Sequence, residues 1–173
     1  ELEEGAIAPD KVFRDLRLHH YPDTLKLTKK WLQNDSDKSY NFGVASHYIS
    51  DSFVSPHYIK NEKYPDHMAF EKQARYIDIE CKRYNLNLEK ELSKGPSNVR
   101  YWNLWLKTRN KNIPQTQMNQ ATKLVLSEAI EKFNLTCTKE TALQKPNYFN
   151  KHVLEKLGIL LTGSLIFLYF FYR

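Results

Sequence analysis

A chain of 173 residues is long enough for one domain with a sizeable core. Its 41% hydrophobic and 27% charged residues are a globular balance, and a content of only 5 glycines argues against a turn-rich β fold. The formal net charge of +6 favours anionic partners such as phosphates, lipid headgroups or nucleic acid.

The sequence begins at Glu1 without a signal peptide, so the expectation is a removed targeting segment or further residues ahead of it. Residues 1–23 carry two turn signals, Pro9-Asp10 and Pro22-Asp23, with a short helical piece between them. His19 and His20 precede the second turn; a metal site can recruit Asp10 and one of these histidines, although from this stretch alone a capping Asp10 and solvated histidines are the stronger reading. A helix follows over 24–33, with Thr24 as N-cap and Leu25, Thr28, Trp31 and Leu32 as its stripe. After the polar loop 34–37, a second helix runs from about Lys38 to Phe53. Tyr40, Val44, His47, Tyr48 and Asp51 share one side of it, and buried carboxylates need a partner or a metal.

The stretch 47–71 is the most informative. His47 and Asp51 are one helical turn apart, and so are His67 and Glu71. His57 lies between the pairs, after a Ser55-Pro56 break that turns the chain back. Two imidazole–carboxylate pincers with a bracketing histidine are a donor set suited to zinc. Asp66 then reads as the N-cap of a long third helix reaching about Leu92, packed through Met68, Phe70, Tyr76, Ile77, Ile79 and Tyr84, with Lys72, Arg75, Lys82 and Arg83 on a solvated face. Lys94-Gly95-Pro96-Ser97 ends it. A shorter helix from Asn98 carries Val99, Trp102, Leu104, Trp105 and Leu106, and Ile113-Pro114 closes that region. A last helix over 115–133 has Met118, Ala121, Leu124, Val125, Ala129, Ile130 and Phe133 as its stripe. There is no Gly-rich phosphate loop, no G-x-S-x-G elbow and no internal repeat.

The end of the chain differs in kind. Residues 157–172 are uncharged and lie between Lys156 and Arg173. As a helix they span about 24 Å, short of the roughly 30 Å of bilayer hydrocarbon. Snorkelling by the flanking cations, with Tyr169 and Tyr172 at the interface, makes a membrane helix the reading for 151–173, and residues 1–150 the domain it anchors. Lys145, Lys151 and Lys156, counted alone, would place that domain in the cytoplasm, but long domains translocate largely regardless of charge. Cys81 and Cys137, which would pair in an oxidising compartment and stay as thiols in a reducing one, and the sequons at Asn34 and Asn134 lean outward. The expectation is therefore a single-pass membrane protein with an extracytoplasmic domain.

The chain resembles the zinc-dependent phospholipase C family, whose superfamily also holds the single-strand-specific zinc nucleases. The resemblance rests on about the first 75 residues. His47-Tyr48-Ile49-Ser50-Asp51 followed by His57 looks like the family signature, and His67-x3-Glu71 like its last ligand pair. His19-His20-Tyr21-Pro22-Asp23 and Ala8-Pro9-Asp10 resemble the segments supplying an upstream histidine and aspartate. The departures are Ser52-Phe53 and the position of Pro56. The resemblance implies an all-α, multi-helix phospholipase C-like bundle, here with a C-terminal transmembrane helix. It implies one zinc on Asp10, His19, His47 and Asp51, and a second on His57, His67 and Glu71 with a position open for water. The family's third zinc uses an N-terminal Trp and a nearby His. No Trp or His precedes His19, so that site is incomplete in this sequence; either about one helix more lies ahead of residue 1 or this metal is absent.

The function expected is a membrane-anchored, zinc-dependent phosphodiesterase acting on phospholipid-type phosphodiesters, with Asp10 orienting or deprotonating the attacking water and with membrane lipid as partner. The alternative is a catalytically silent, metal-binding accessory subunit whose C-terminal helix packs against other membrane subunits. Single-strand nuclease activity ranks third. It needs stacking aromatics beside a basic groove, and Trp102 and Trp105 read as core, so no specific nucleic acid is expected.

Overall fold

The computed structural model describes residues 1–74 and 79–137. Every regular element among them is helical: α1 (Leu2–Ala8), α2 (Asp23–Gln33), α3 (Lys38–Asp51), α4 (Tyr64–Gln73), α5 (Leu88–Leu92), α6 (Val99–Thr108) and α7 (Asn112–Phe133). A π-helical turn (Pro9–Phe13) and three 3-10 turns (Leu16–Leu18, Ser55–Tyr58, Gly95–Asn98) join them.

The helix α3 is the axis. Asp37 caps it, its carboxylate accepting from the Tyr40 N–H at 3.0 Å, and every residue from Asn41 to Asp51 is buried. Such a helix needs neighbours on all sides, and α1, α2 and α7 supply them. On the α1 side the approach is very close. A Cβ added at Gly43 would lie 2.2 Å from the Leu2 carbonyl oxygen, and one at Gly5 would lie 2.0 Å from that of Tyr40. Two glycines thus let the two backbones touch. On the other side Phe42, Ile49 and Phe53 pack with Leu92 and with the Met118, Ala121, Leu124, Val125 and Ala129 stripe of α7. A second apolar cluster holds Phe70 of α4 against Trp102 and Trp105 of α6, whose rings stack 5.3 Å apart. Both tryptophans are buried core, while Leu104 on the same helix faces solvent.

Several expected boundaries shift. A cis peptide joins Tyr21 to Pro22, and α2 begins at Asp23 with no side-chain cap from Thr24, which is buried instead. The helix α3 stops at Asp51, not Phe53, and Pro56 sits in a 3-10 turn. Pro114 lies inside the first turn of α7, where its missing N–H is harmless, and does not close the preceding region. The long third helix is broken: α4 starts at Tyr64 and ends at Gln73, residues 79–87 are non-helical, and α5 restarts after Asn87, whose side chain accepts from the Lys90 N–H at 2.9 Å. A Cys81–Cys137 disulfide, with Cα atoms 5.5 Å apart, ties the 79–87 segment to the chain just past α7. The expected packing of Tyr76 and Ile77, the exposure of Arg75 and the C-terminal membrane helix lie outside the described residues. Among the described residues no helix is long and apolar enough to cross a membrane.

Candidate metal centre

Seven residues from five separate segments converge into two groups. Asp10, His19, His47 and Asp51 form one, and His57, His67 and Glu71 the other; within each group the donor atoms all lie within 4.8 Å of one another. The architecture explains the convergence. The last two turns of α3 present His47 and Asp51 on one face, the π turn after α1 brings Asp10 over them, and His19 follows the 3-10 turn 16–18. The 3-10 turn after α3 folds His57 back beside Asp51, and α4 sets His67 and Glu71 opposite it.

In the first group, Asp51 Oδ2 lies 2.7 Å from His19 Nδ1 and 3.1 Å from His47 Nε2. The two nitrogens are 3.4 Å apart. Asp10 Oδ1 stands 3.6 Å from the first and 3.5 Å from the second. In the second group, Glu71 Oε1 lies 2.9 Å from His67 Nε2 and 3.7 Å from His57 Nε2. Donors about 2.0–2.2 Å from a tetrahedral zinc sit about 3.3–3.6 Å from one another. The separations of 3.4–3.7 Å match donors around a cation, whereas the contacts of 2.7, 2.9 and 3.1 Å are hydrogen-bond distances that bound metal would have to widen.

The ring nitrogens pointing away from each group are also engaged. His47 Nδ1 donates to the Ala6 carbonyl at 2.8 Å, and His57 Nδ1 donates to the Asp51 carbonyl at 3.2 Å. His19 Nε2 donates to Asp15 at 2.9 Å, and His67 Nδ1 to Glu62 at 2.6 Å. With one N–H spent outward, each neutral imidazole aims a lone pair inward at a carboxylate. Two electron-rich atoms facing each other repel unless something positive lies between them, and this is the arrangement in which histidines ligate metals.

Protons can fill that role, and the acid–base balance of the groups reflects it. Burial alone lowers the pKa of His47, but the Asp51 charge and hydrogen bonds to Asp10 and Asp51 outweigh it and hold it well above 6.5. Burial likewise opposes the charged form of Asp51, yet the charges of His47 and His57 and the hydrogen bonds of His19 and His47 hold its carboxyl well below 3.8. His67 stands at about 9, because bonds and charge from Glu71 and then Glu62 override its burial. A cation entering either group would displace such protons.

The side chains of His47 and His19 are almost fully enclosed, whereas that of Asp10 is 44% exposed and forms the mouth of the first group. The second group offers three protein donors and leaves a fourth tetrahedral position. His20 stays outside both groups, its ring edge-on to Tyr58. Tyr48 is buried with its hydroxyl on Asp15 at 2.5 Å, and Tyr58 donates to the Ser52 carbonyl at 2.8 Å. Asp15, Glu62 and the Ala6 carbonyl went unread in the sequence. Asp15 did carry a signal, lying four residues before His19; Glu62 sits in a loop and Ala6 contributes only backbone.

A family model described as zinc dependent phospholipase C matches residues 1–133, well past the first 75 residues that carry the motifs. No curated protein and no solved structure matches the chain at a significant level.

Proposed function

The chain belongs to the zinc-dependent phospholipase C family, and from that membership we propose that it is a membrane-anchored phosphodiesterase cleaving phospholipid-type phosphodiesters. The observation that carries the proposal is the convergence of seven donors into two groups, with every histidine braced from outside. The donor set fits zinc: imidazole and carboxylate only, with the donor atoms of each group within 4.8 Å of one another. Asp10, His19, His47 and Asp51 would hold one ion, and His57, His67 and Glu71 another. Zinc bound there supplies Lewis acidity, neutralising the oxygens of an anionic phosphodiester and acidifying a water toward a pKa of ~7.

The chain's own residues do the rest. Asp10 is the one donor at the solvent edge, so its carboxylate can meet an incoming water, orient it and take its proton. Asp51 and Glu71 each face two imidazoles and hold them in register. The apolar run 157–172 would tether the pocket near its lipid substrate, and the Cys81–Cys137 disulfide supports an oxidising, extracytoplasmic location for the domain.

The test uses the full chain in detergent, loaded with zinc. Metal content is measured by atomic absorption and turnover with a chromogenic phosphodiester and with phospholipid micelles. We expect at least two zincs and metal-dependent hydrolysis that falls at least 100-fold in His47→Ala. Zinc without turnover would favour the silent accessory subunit, and full activity in His47→Ala would refute a zinc hydrolase.

A further inference from the structure

Two carboxylates outside the donor groups are placed in the same unusual way. Arg14, with φ 54, directly precedes Asp15, and Asn61, with φ 65, directly precedes Glu62. Arg14 is the left-handed C-cap of the π turn, and asparagine tolerates this region, so in each case the chain turns sharply just ahead of the carboxylate.

The contacts carry the argument. Asp15 is held by two donors at once, His19 Nε2 at 2.9 Å and the Tyr48 hydroxyl at 2.5 Å, so it cannot swing away from the ring. Glu62 sets Oε1 2.6 Å from His67 Nδ1, while its Oε2 is buried without a hydrogen-bond partner. A half-satisfied carboxylate at the end of a left-handed turn is unfavourable by itself. Among the described residues its side chain hydrogen-bonds only His67.

We propose that Asp15 and Glu62 are positioning residues, one per centre, that fix the ring orientation and tautomer of His19 and His67 and so set how tightly each centre holds zinc. The proposal rests on the zinc reading above. Its logic is in the atoms used. His19 presents Nδ1 to its group and His67 presents Nε2 to its own. The two histidines therefore use opposite nitrogens, and the outer carboxylate decides which one in each case. Asp15 keeps the His19 proton on Nε2, leaving Nδ1 free, and Glu62 keeps the His67 proton on Nδ1, leaving Nε2 free. A negatively charged acceptor also makes the imidazole a more basic donor than a carbonyl does. His47 and His57 hydrogen-bond carbonyls instead, the Asp51 carboxylate standing 3.7 Å from His57 Nδ1, so each centre contains one histidine hydrogen-bonded to an outer carboxylate.

The experiment compares the full chain with Asp15→Asn, Glu62→Gln and Glu62→Ala. Zinc affinity is read by competition with a chromophoric chelator, and the ring tautomers of His19 and His67 in the zinc-loaded chain by 15N chemical shifts. Glu62→Gln keeps the shape and a neutral acceptor, so it guards against simple misfolding. Expected are a 10–100-fold loss of zinc affinity in Glu62→Ala at one of two sites, a smaller loss in Glu62→Gln, and loss of the single His67 tautomer. Asp15→Asn should do the same to the other site and to His19. If the unaltered chain loads two zincs and every variant stays within twofold of it with tautomers unchanged, the positioning role is overturned while the zinc reading stands. If the unaltered chain takes up no zinc, the zinc reading falls and this inference with it.

Discussion

A buried carboxylate beside a neutral imidazole lone pair is tolerable only with positive charge between them, and this rule organises the residue scale of the molecule. It explains why His47 and Asp51 can sit inside a helix that is buried from Asn41 to its end. The one-turn spacing of His47 with Asp51 and of His67 with Glu71 is visible in any sequence reading, because an i,i+4 pair declares its geometry. The bracing partners are not, because a carbonyl has no letter and a loop glutamate has no period. A lone carboxylate shows the contrary behaviour. Burial and the neighbouring Glu131 charge push Glu128 on α7 from 4.5 up to about 7. Between those values the folded chain keeps a proton that the unfolded chain has lost, so this residue's contribution to stability falls as pH rises from 4.5 toward 7 and is flat above. Glu128→Gln should therefore stabilise the protein at pH 8 and leave it unchanged at pH 4. Solvent screening of this partly exposed group limits the gain to about 1 kcal/mol. Urea midpoints of both proteins at the two pH values check it; an equal gain at both would show that charge is not the cause.

At the scale of elements, the contact between α1 and α3 links backbone packing to the centre. Because Gly5 and Gly43 let the helices touch, the Ala6 carbonyl reaches His47 Nδ1. Helix propensity alone makes Gly43→Ala stabilising by about 0.5–1 kcal/mol. The added methyl would instead meet the Leu2 carbonyl oxygen at 2.2 Å and the Ala6 nitrogen at 2.8 Å, which are backbone atoms and cannot rotate aside. Overpacking of this kind costs about 1–3 kcal/mol. Gly43→Ala should thus lower the unfolding midpoint and, by lifting Ala6 from His47, weaken zinc uptake; a raised midpoint would count against the close approach. The helices α2, α3, α6 and α7 were legible from their apolar stripes to within a few residues. The third helix was not, since the apolar residues of 79–92 read as a continuation of the period. The contrary signal lay in Asn85-Leu86-Asn87, where Asn87 caps a new helix. Ile79, Leu86 and Leu88 still reach the core, but from a non-helical path and a fresh start.

On the scale of the whole molecule, the segment 79–87 and the end of α7 are fastened together. The Cys81–Cys137 bridge closes a separation of 56 residues, and Lys132 near the end of α7 donates to the Leu32 carbonyl at the end of α2 at 2.6 Å. Closing a loop of that length stabilises a fold by about 4 kcal/mol in the chain-entropy picture. Replacing both cysteines with serine should lower stability by about 2–4 kcal/mol, read from denaturant midpoints with and without reductant. Zinc stoichiometry should be unchanged, because no donor lies on the bridged segments. Two cysteines in a sequence leave pairing open between bridge and free thiols, and only proximity in the fold decides it.

Asp51 serves both centres through different atoms, its side chain in one and its main-chain carbonyl behind a histidine of the other. A replaced side chain at that position mainly injures a single centre. Fraying of the final turn of α3, by contrast, would pull both donor groups apart in the same event.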